Sequence, residues 1–195
     1  RVLSTAVLMA MVSSIATAAF AAEYNVTKGS VEIEAKDGIQ SITQRDDTGA
    51  FVTDKDGTID HRQDSKIVLT TKNKDTGVTE TTSNTVTITA EKEGDIANVT
   101  LQDVHIETER SWDNSKSAPI EIKGDGDTNL ELNGDNTVLS GSGKHAGIEK
   151  ADVNGTGTLT IKDDLNDDGT VKKKDKNGNA VGGDTGTLLA GGCYL

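Results

Sequence analysis

Between positions 96 and 161 the chain writes the same alternation of apolar and polar residues several times over. Asn98-Val99-Thr100-Leu101 is followed 31 positions later by Asn129-Leu130-Glu131-Leu132, and that by Thr158-Leu159-Thr160-Ile161 after a further 29. A second pair, Ala118-Pro119-Ile120-Glu121 and Ala146-Gly147-Ile148-Glu149, is offset by 28. Strict alternation is the mark of a half-buried strand, and a recurrence of this length is the mark of stacked structural units. A weaker fourth copy, Thr187-Leu188-Leu189-Ala190, lies 29 residues after Thr158 and shares the run Thr-Gly-Thr-Leu with residues 156–159.

The expected fold is therefore all-β: a parallel β-helix, or β-solenoid, with turns of roughly 28–31 residues, and a fragment of a longer one. Each strand would pair with its equivalent one turn away. Val99, Leu130 and Leu159 are expected in one inward row, with Leu101, Leu132 and Ile161 in the next. Thr100, Glu131 and Thr160 would point outward. Ile120 over Ile148 belongs to a second face, and Asn98 over Asn129 suits a short side-chain ladder and ordinary surface placement equally.

Earlier in the chain, Ser30-Val31-Glu32-Ile33-Glu34-Ala35 alternates in the same way, with a turn at Lys36-Asp37-Gly38 and a new strand from Ile39. Residues 46–64 are polar and irregular, which reads as a loop or edge region near the N-terminal end of the stack. Strand character resumes at Ser65–Thr71 and Asn84–Ala90, rich in β-branched residues. No stretch after residue 21 carries a helical period, so no helix beyond a cap is expected. Gly- and Asp-rich pieces such as Gly124-Asp125-Gly126-Asp127 and Asn133-Gly134-Asp135-Asn136 fall between strands, where the chain has to turn.

Composition agrees with stacked aliphatic rows. Aromatic residues make up 3% of the 195 and there is one proline, against 21 glycines. Arg1, the apolar run Val2–Ala19 and the small-x-small site Ala19-Phe20-Ala21 read as a secretory signal whose start is missing. The division that follows is a signal over 1–21, an N-terminal β region or cap over 22–83, and β-helix turns over 84–195. A secreted or cell-surface protein is expected, with no membrane segment left once the signal is removed. The net charge is −12, or −13 without Arg1, a field that repels phosphate backbones and makes nucleic acid an unsuitable partner. Cys193 is the single cysteine, so an internal disulfide framework is excluded.

The order of motifs, Asn-Val-Thr-Leu-x-x-Val, then Leu-Asn-Gly-Asp-Asn-Thr-Val-Leu-Ser-Gly-Ser-Gly, then Ala-Gly-Ile-Glu and Gly-Thr-Gly-Thr-Leu-Thr-Ile, resembles a group of secreted bacterial right-handed β-helix proteins of the carbohydrate-binding-domain-containing type. The resemblance covers residues 84–192. It implies a surface solenoid whose partner is a polysaccharide or a host or cell-surface glycan, and it brings no catalytic motif.

Two stretches carry candidate chemistry. Counting from Asp164, oxygen-bearing side chains fall at positions 1, 3, 5 and 12 of the run ending at Asp175, with glycine at 6 and an apolar residue at 8. That is the spacing by which an EF-hand loop wraps Ca²⁺. Asp164, Asn166 and Asp168 would be side-chain ligands, Thr170 would offer its carbonyl and Asp175 would close the site, making calcium the cofactor candidate. Lys172, Lys173 and Lys174 inside the loop, and the lack of flanking helices, favour a solvated acidic turn instead. Trp112, beside Arg110, Asp113 and Asn114, is the candidate platform for a sugar ring.

An enzyme is not the expected class. His61, His105 and His145 match no triad or metal spacing, and no Gly-x-Ser-x-Gly elbow is present. A polysaccharide-active enzyme would have to use Glu121 and Glu149, which fall at equivalent positions of adjacent turns, about 4.8 Å apart by strand spacing. The expected function is a non-catalytic carbohydrate-binding or adhesive module. The alternatives are a structural stalk or passenger segment displaying another domain, and a fragment of a polysaccharide-active enzyme.

Overall fold

The computed structural model describes residues 22–110, 118–151, 155–163 and 186–192, and the backbone of residues 173–174 and 180–181. Its strands, in chain order, are β1 (Glu23–Asn25), β2 (Ser30–Lys36), β3 (Ile39–Arg45), β4 (Thr53–Asp54), β5 (Gly57–Thr58), β6 (Arg62–Gln63), β7 (Ile67–Thr70), β8 (Val86–Ala90) and β9 (Ile96–Gln102). There follow β10 (His105–Glu107), β11 (Ile120–Lys123), β12 (Asp127–Asn133), β13 (Asp135–Ser140), β14 (Ile148–Lys150), β15 (Leu159–Asp163), β16 (Lys173–Lys174), β17 (Ala180–Val181) and β18 (Thr187–Gly192). Among the described residues the one helical element is a 3₁₀ turn, Val26–Lys28.

The chain is all-β, and parallel pairing dominates. One sheet runs β1-β7-β9-β12-β15, all parallel. A second runs β14-β11-β8-β2 in parallel and continues into antiparallel β3 and β6. A third holds β10-β13-β18, also parallel, with Thr82 bridging to Ile106 at its edge. From β7 to β15 the chain visits these sheets in one repeating order: first, third, second, and then first again.

The alternation in the sequence explains which face is inside. In β2, Val31, Ile33 and Ala35 are buried while Glu32 is exposed. Register then stacks like on like: Val31, Val86, Ile120 and Ile148 form one row of the second sheet, and Ile33, Ile88 and Ile122 the next. In the first sheet Ile67, Val99 and Leu130 are in register, as are Leu69, Leu101 and Leu132. These residues belong to a single apolar cluster, in which Tyr24 is the one aromatic among the described residues. Each fully buried aliphatic contributes about 1.5–3 kcal/mol, and no single turn encloses such a row alone.

Of the two readings of the asparagines, the structure shows the ladder: Asn129 Nδ2 donates to Asn98 Oδ1 at 3.0 Å across 31 residues, and Asn133 Nδ2 donates likewise to Gln102 Oε1 at 3.1 Å. Glu121 and Glu149 are in register, as the repeat implies.

Two expectations are corrected. β15 does not place Leu159 beside Leu130 or Ile161 beside Leu132; Leu159 pairs with Thr128, Ile161 with Leu130 and Asp163 with Leu132. Thr160 still points outward, but beside Asn129. A slip of two residues keeps every side chain on its own face, so alternation cannot detect it. The corner fixes the register: Asp127 Oδ1 accepts from Thr158 N at 2.9 Å and from Thr158 Oγ1 at 2.7 Å. Gly157 lies so close to the Gly126 carbonyl that a Cβ would sit 1.9 Å from its oxygen. The second correction is β18. Thr187–Ala190 is not a fourth copy stacked on β15; it pairs with β13 and extends the third sheet, Thr187 meeting Asp135 across 52 residues. Likeness to residues 156–159 misled because four short alternating residues suit any of the three sheets.

The N-terminal end is closed by a different device. Asp37 (φ 52°) and Gly38 (φ 76°) make a tight two-residue turn with both central residues left-handed. That turn folds β3 back on β2, and β6 adds beyond it. The stretch 46–64, expected as a loop or edge region, does lie at this edge but contributes three short strands and the buried Ile59.

Candidate functional site

The residues singled out from sequence do not define a site. Asp164, Asn166, Asp168, Thr170 and Asp175 lie outside the described residues, as do Trp112 and residues 1–21. Among the described residues, no group of three or more His, Cys, Asp and Glu side chains could hold a metal ion. Nor is any described helix long and apolar enough to cross a membrane. The three histidines are spread over separate places with local partners: His61 Nδ1 with Asp60 at 2.6 Å, His105 Nδ1 with Thr81 at 3.3 Å and His145 Nδ1 with Glu149 at 2.9 Å. Although Glu121 and Glu149 are neighbours in register, Glu121 pairs with Lys123 at 2.9 Å while Glu149 takes His145 and the Ala146 amide. Each carboxylate is thus drawn to its own partner, which does not favour a shared acid–base pair.

What the fold does build is a cleft of about 650 Å³ at the N-terminal end. Three segments far apart in sequence wall it: β1 with the 3₁₀ turn, the β4–β5 hairpin with the end of β3, and the loop 73–80. The wall is mixed: Asn25, Thr27, Asn73 and eight charged side chains stand beside the apolar Ala22, Tyr24, Val52 and Ile59.

Local chemistry fixes each wall. Asn25 caps the 3₁₀ turn, its Oδ1 accepting from Thr27 N at 2.9 Å and Thr27 Oγ1 at 2.7 Å, and its Nδ2 donates to the Lys72 carbonyl at 3.1 Å. The hairpin is held by a forked pair: Arg62 donates to both Asp54 oxygens, at 2.7 and 2.9 Å, and to the Gly57 carbonyl at 2.7 Å. Those bonds hold the Asp54 carboxyl below its ordinary range and Arg62 above its own. Tyr24 lies buried under β1 and donates its hydroxyl to Asp64 Oδ2 at 2.9 Å. Burial first, then the hydrogen bond and charge of Asp64, keep that hydroxyl protonated well above the usual phenol range. In the loop, Asn73 Oδ1 accepts from the Asp75 amide at 2.9 Å and its Nδ2 donates to Glu80 at 2.8 Å.

Gln44 forms part of the cleft's wall and is 1% exposed. Its Nε2 donates to the Asn25 and Gly29 carbonyls at 2.8 and 3.0 Å, which fixes the orientation of the amide, and its buried Oε1 has no hydrogen-bond partner. Two other buried amides show the contrast. Gln40, on the same face of β3, donates to the Asp64 and Asn98 carbonyls and accepts from Asn98 N at 2.7 Å. Asn136 donates to the carbonyls of Asn133, Gly134 and Thr187 and accepts from Val104 N at 3.0 Å. A buried acceptor left unmade costs about 1–3 kcal/mol, so Gln44 is the exception among these three.

No protein-family model, curated protein or solved structure matches this chain.

Proposed function

We propose that this chain is a secreted or cell-surface, non-catalytic module folded as a parallel β-helix, and that it binds carbohydrate or acts as an adhesin. The observation that carries the reading is the repeated passage of the chain through three sheets built mainly of parallel strands, with aliphatic residues in register and polar residues alternating on the other face. The motif order over 84–192 supports the same reading. So does the cleft, whose carboxylate and lysine side chains can hydrogen-bond a ligand rich in hydroxyl groups. Catalysis is disfavoured because Glu121 and Glu149 are committed to separate partners.

A glycan array probed with the purified chain, with and without calcium, tests the reading. Binding to a defined set of glycans is the expected result. Failure to bind any of them in either condition would sink it and leave a structural stalk or passenger segment as the better account. Dependence on calcium would bring residues 164–175 into the site.

A further inference from the structure

We infer that residues 165–185 are an insertion at one corner of the stack, carried by the stack and not needed to build it. The corner joins the first sheet to the third. β9 passes to β10 through two residues, Asp103 and Val104, and β12 passes to β13 through Gly134 alone. β15 ends at Asp163 and β18 begins at Thr187, so there the same passage takes the 23 residues 164–186.

Register shows that the extra length closes on itself. Asp163 pairs with Leu132 and Thr187 with Asp135, and only Asn133 and Gly134 stand between those two partners. Gly186 has already come back to β12: a Cβ on it would lie 2.3 Å from Leu132 Cβ. The offsets agree. Asp103 and Asp135 meet across 32 positions, whereas Asp135 and Thr187 meet across 52. Taking out the 21 residues 165–185 leaves 31, which is the spacing of Asn98 and Asn129.

Two further observations fit an insert. Lys173–Lys174 and Ala180–Val181 pair with each other, antiparallel, as a two-stranded sheet separate from the three large ones. The same corner also carries a smaller excursion three passes earlier. After β7 the chain leaves at Thr71 and is back at Glu80, whose N–H donates to the Thr71 carbonyl at 3.0 Å, with Lys72 and Thr79 bridged antiparallel between them. Thr82 then resumes the third sheet beside Ile106. An excursion that leaves and rejoins the stack at one point lengthens a loop without adding to the apolar rows. The entropy of closing such a loop grows only slowly with its length, and insertions in repeat folds gather at such turns.

Deletion of residues 165–185, joining Asp164 to Gly186, tests this, together with a second variant in which Gly-Ser-Gly-Ser replaces the same residues. Both carry Cys193→Ser, Thr137→Cys and Leu189→Cys, which report the pairing of β13 with β18 through a disulfide. At least one variant is expected to unfold cooperatively under reducing conditions, with a melting temperature no more than about 4 °C below that of the full chain bearing the same three substitutions. On oxidation it is expected to close the disulfide. If both variants lose cooperative unfolding, melt lower than that limit, or stay reduced where the full chain closes, residues 165–185 belong to the stack and the inference is overturned. A pair that stays reduced in the full chain as well removes the register beneath the inference and overturns it too. Neither result touches the carbohydrate-binding reading, which the glycan array decides separately.

Discussion

At the residue scale, the most informative side chains are those whose polar groups are buried. Tyr24 is 2% exposed and its hydroxyl serves Asp64. Tyr24→Phe is expected to cost about 1 kcal/mol in denaturant unfolding. The same hydroxyl sets a dependence on alkaline pH. Its proton is held more tightly in the folded chain than at the ordinary value of 10.0, so its contribution is complete below that value and is lost as pH rises beyond it. Stability measured above pH 10 should therefore fall more steeply in the wild type than in Tyr24→Phe. Asp54 acts with the opposite sign: Arg62 depresses its pKa from the ordinary 3.8, so its contribution is present above that value and fades as pH falls below it. Asp54→Asn should flatten the acid limb of the stability curve. Glycines separate strain from collision. Gly77 (φ 70°) has open space where a Cβ would stand, whereas Gly124 (φ 85°) has the Ala90 carbonyl oxygen 1.9 Å away. Gly77→Ala should cost about 1 kcal/mol and Gly124→Ala several times that.

At the scale of the element, the question is why some strands were legible and others not. β9 and β12 could be paired from sequence because Asn98-Val99-Thr100-Leu101 and Asn129-Leu130-Glu131-Leu132 repeat both faces, including the asparagines that meet at 3.0 Å. β15 repeats only the apolar face, and its register is set outside the strand by Asp127, Thr158 and Gly157. The strands of the third sheet share no phrase at all: Ile106, Val138 and Ala190 stack, but their flanking residues differ. The cleft was illegible for another reason. Its walls come from residues 22–28, 44–59 and 73–80, none of which bears a motif, and Gln44 gave no signal beyond being one polar residue at the end of a strand. The register predicts a graded response to truncation: Leu130→Ala, at 0% exposure on a strand paired on both sides, should cost about 2–5 kcal/mol. Ile161→Ala, beside it in register but 43% exposed on the edge strand, should cost less than about 1 kcal/mol.

For the whole molecule, the claim on which the rest depends is that successive passes of the chain pair in parallel, in a fixed order of three sheets. β18 is its most demanding element, since it reaches β13 across 52 residues and the repeat in the sequence would put it elsewhere. Thr137 and Leu189 are in-register neighbours on the outer surface of the third sheet, and Leu189 is 60% exposed. Adjacent parallel strands hold paired residues within the span a disulfide can bridge. With Cys193→Ser as background, oxidation of a Thr137→Cys, Leu189→Cys protein should close an intramolecular disulfide, seen as a mass loss of two hydrogens and a linked peptide after digestion. If that pair stays reduced while Thr160→Cys with Leu189→Cys closes instead, β18 stacks on β15 and the order β10-β13-β18 of the third sheet is wrong.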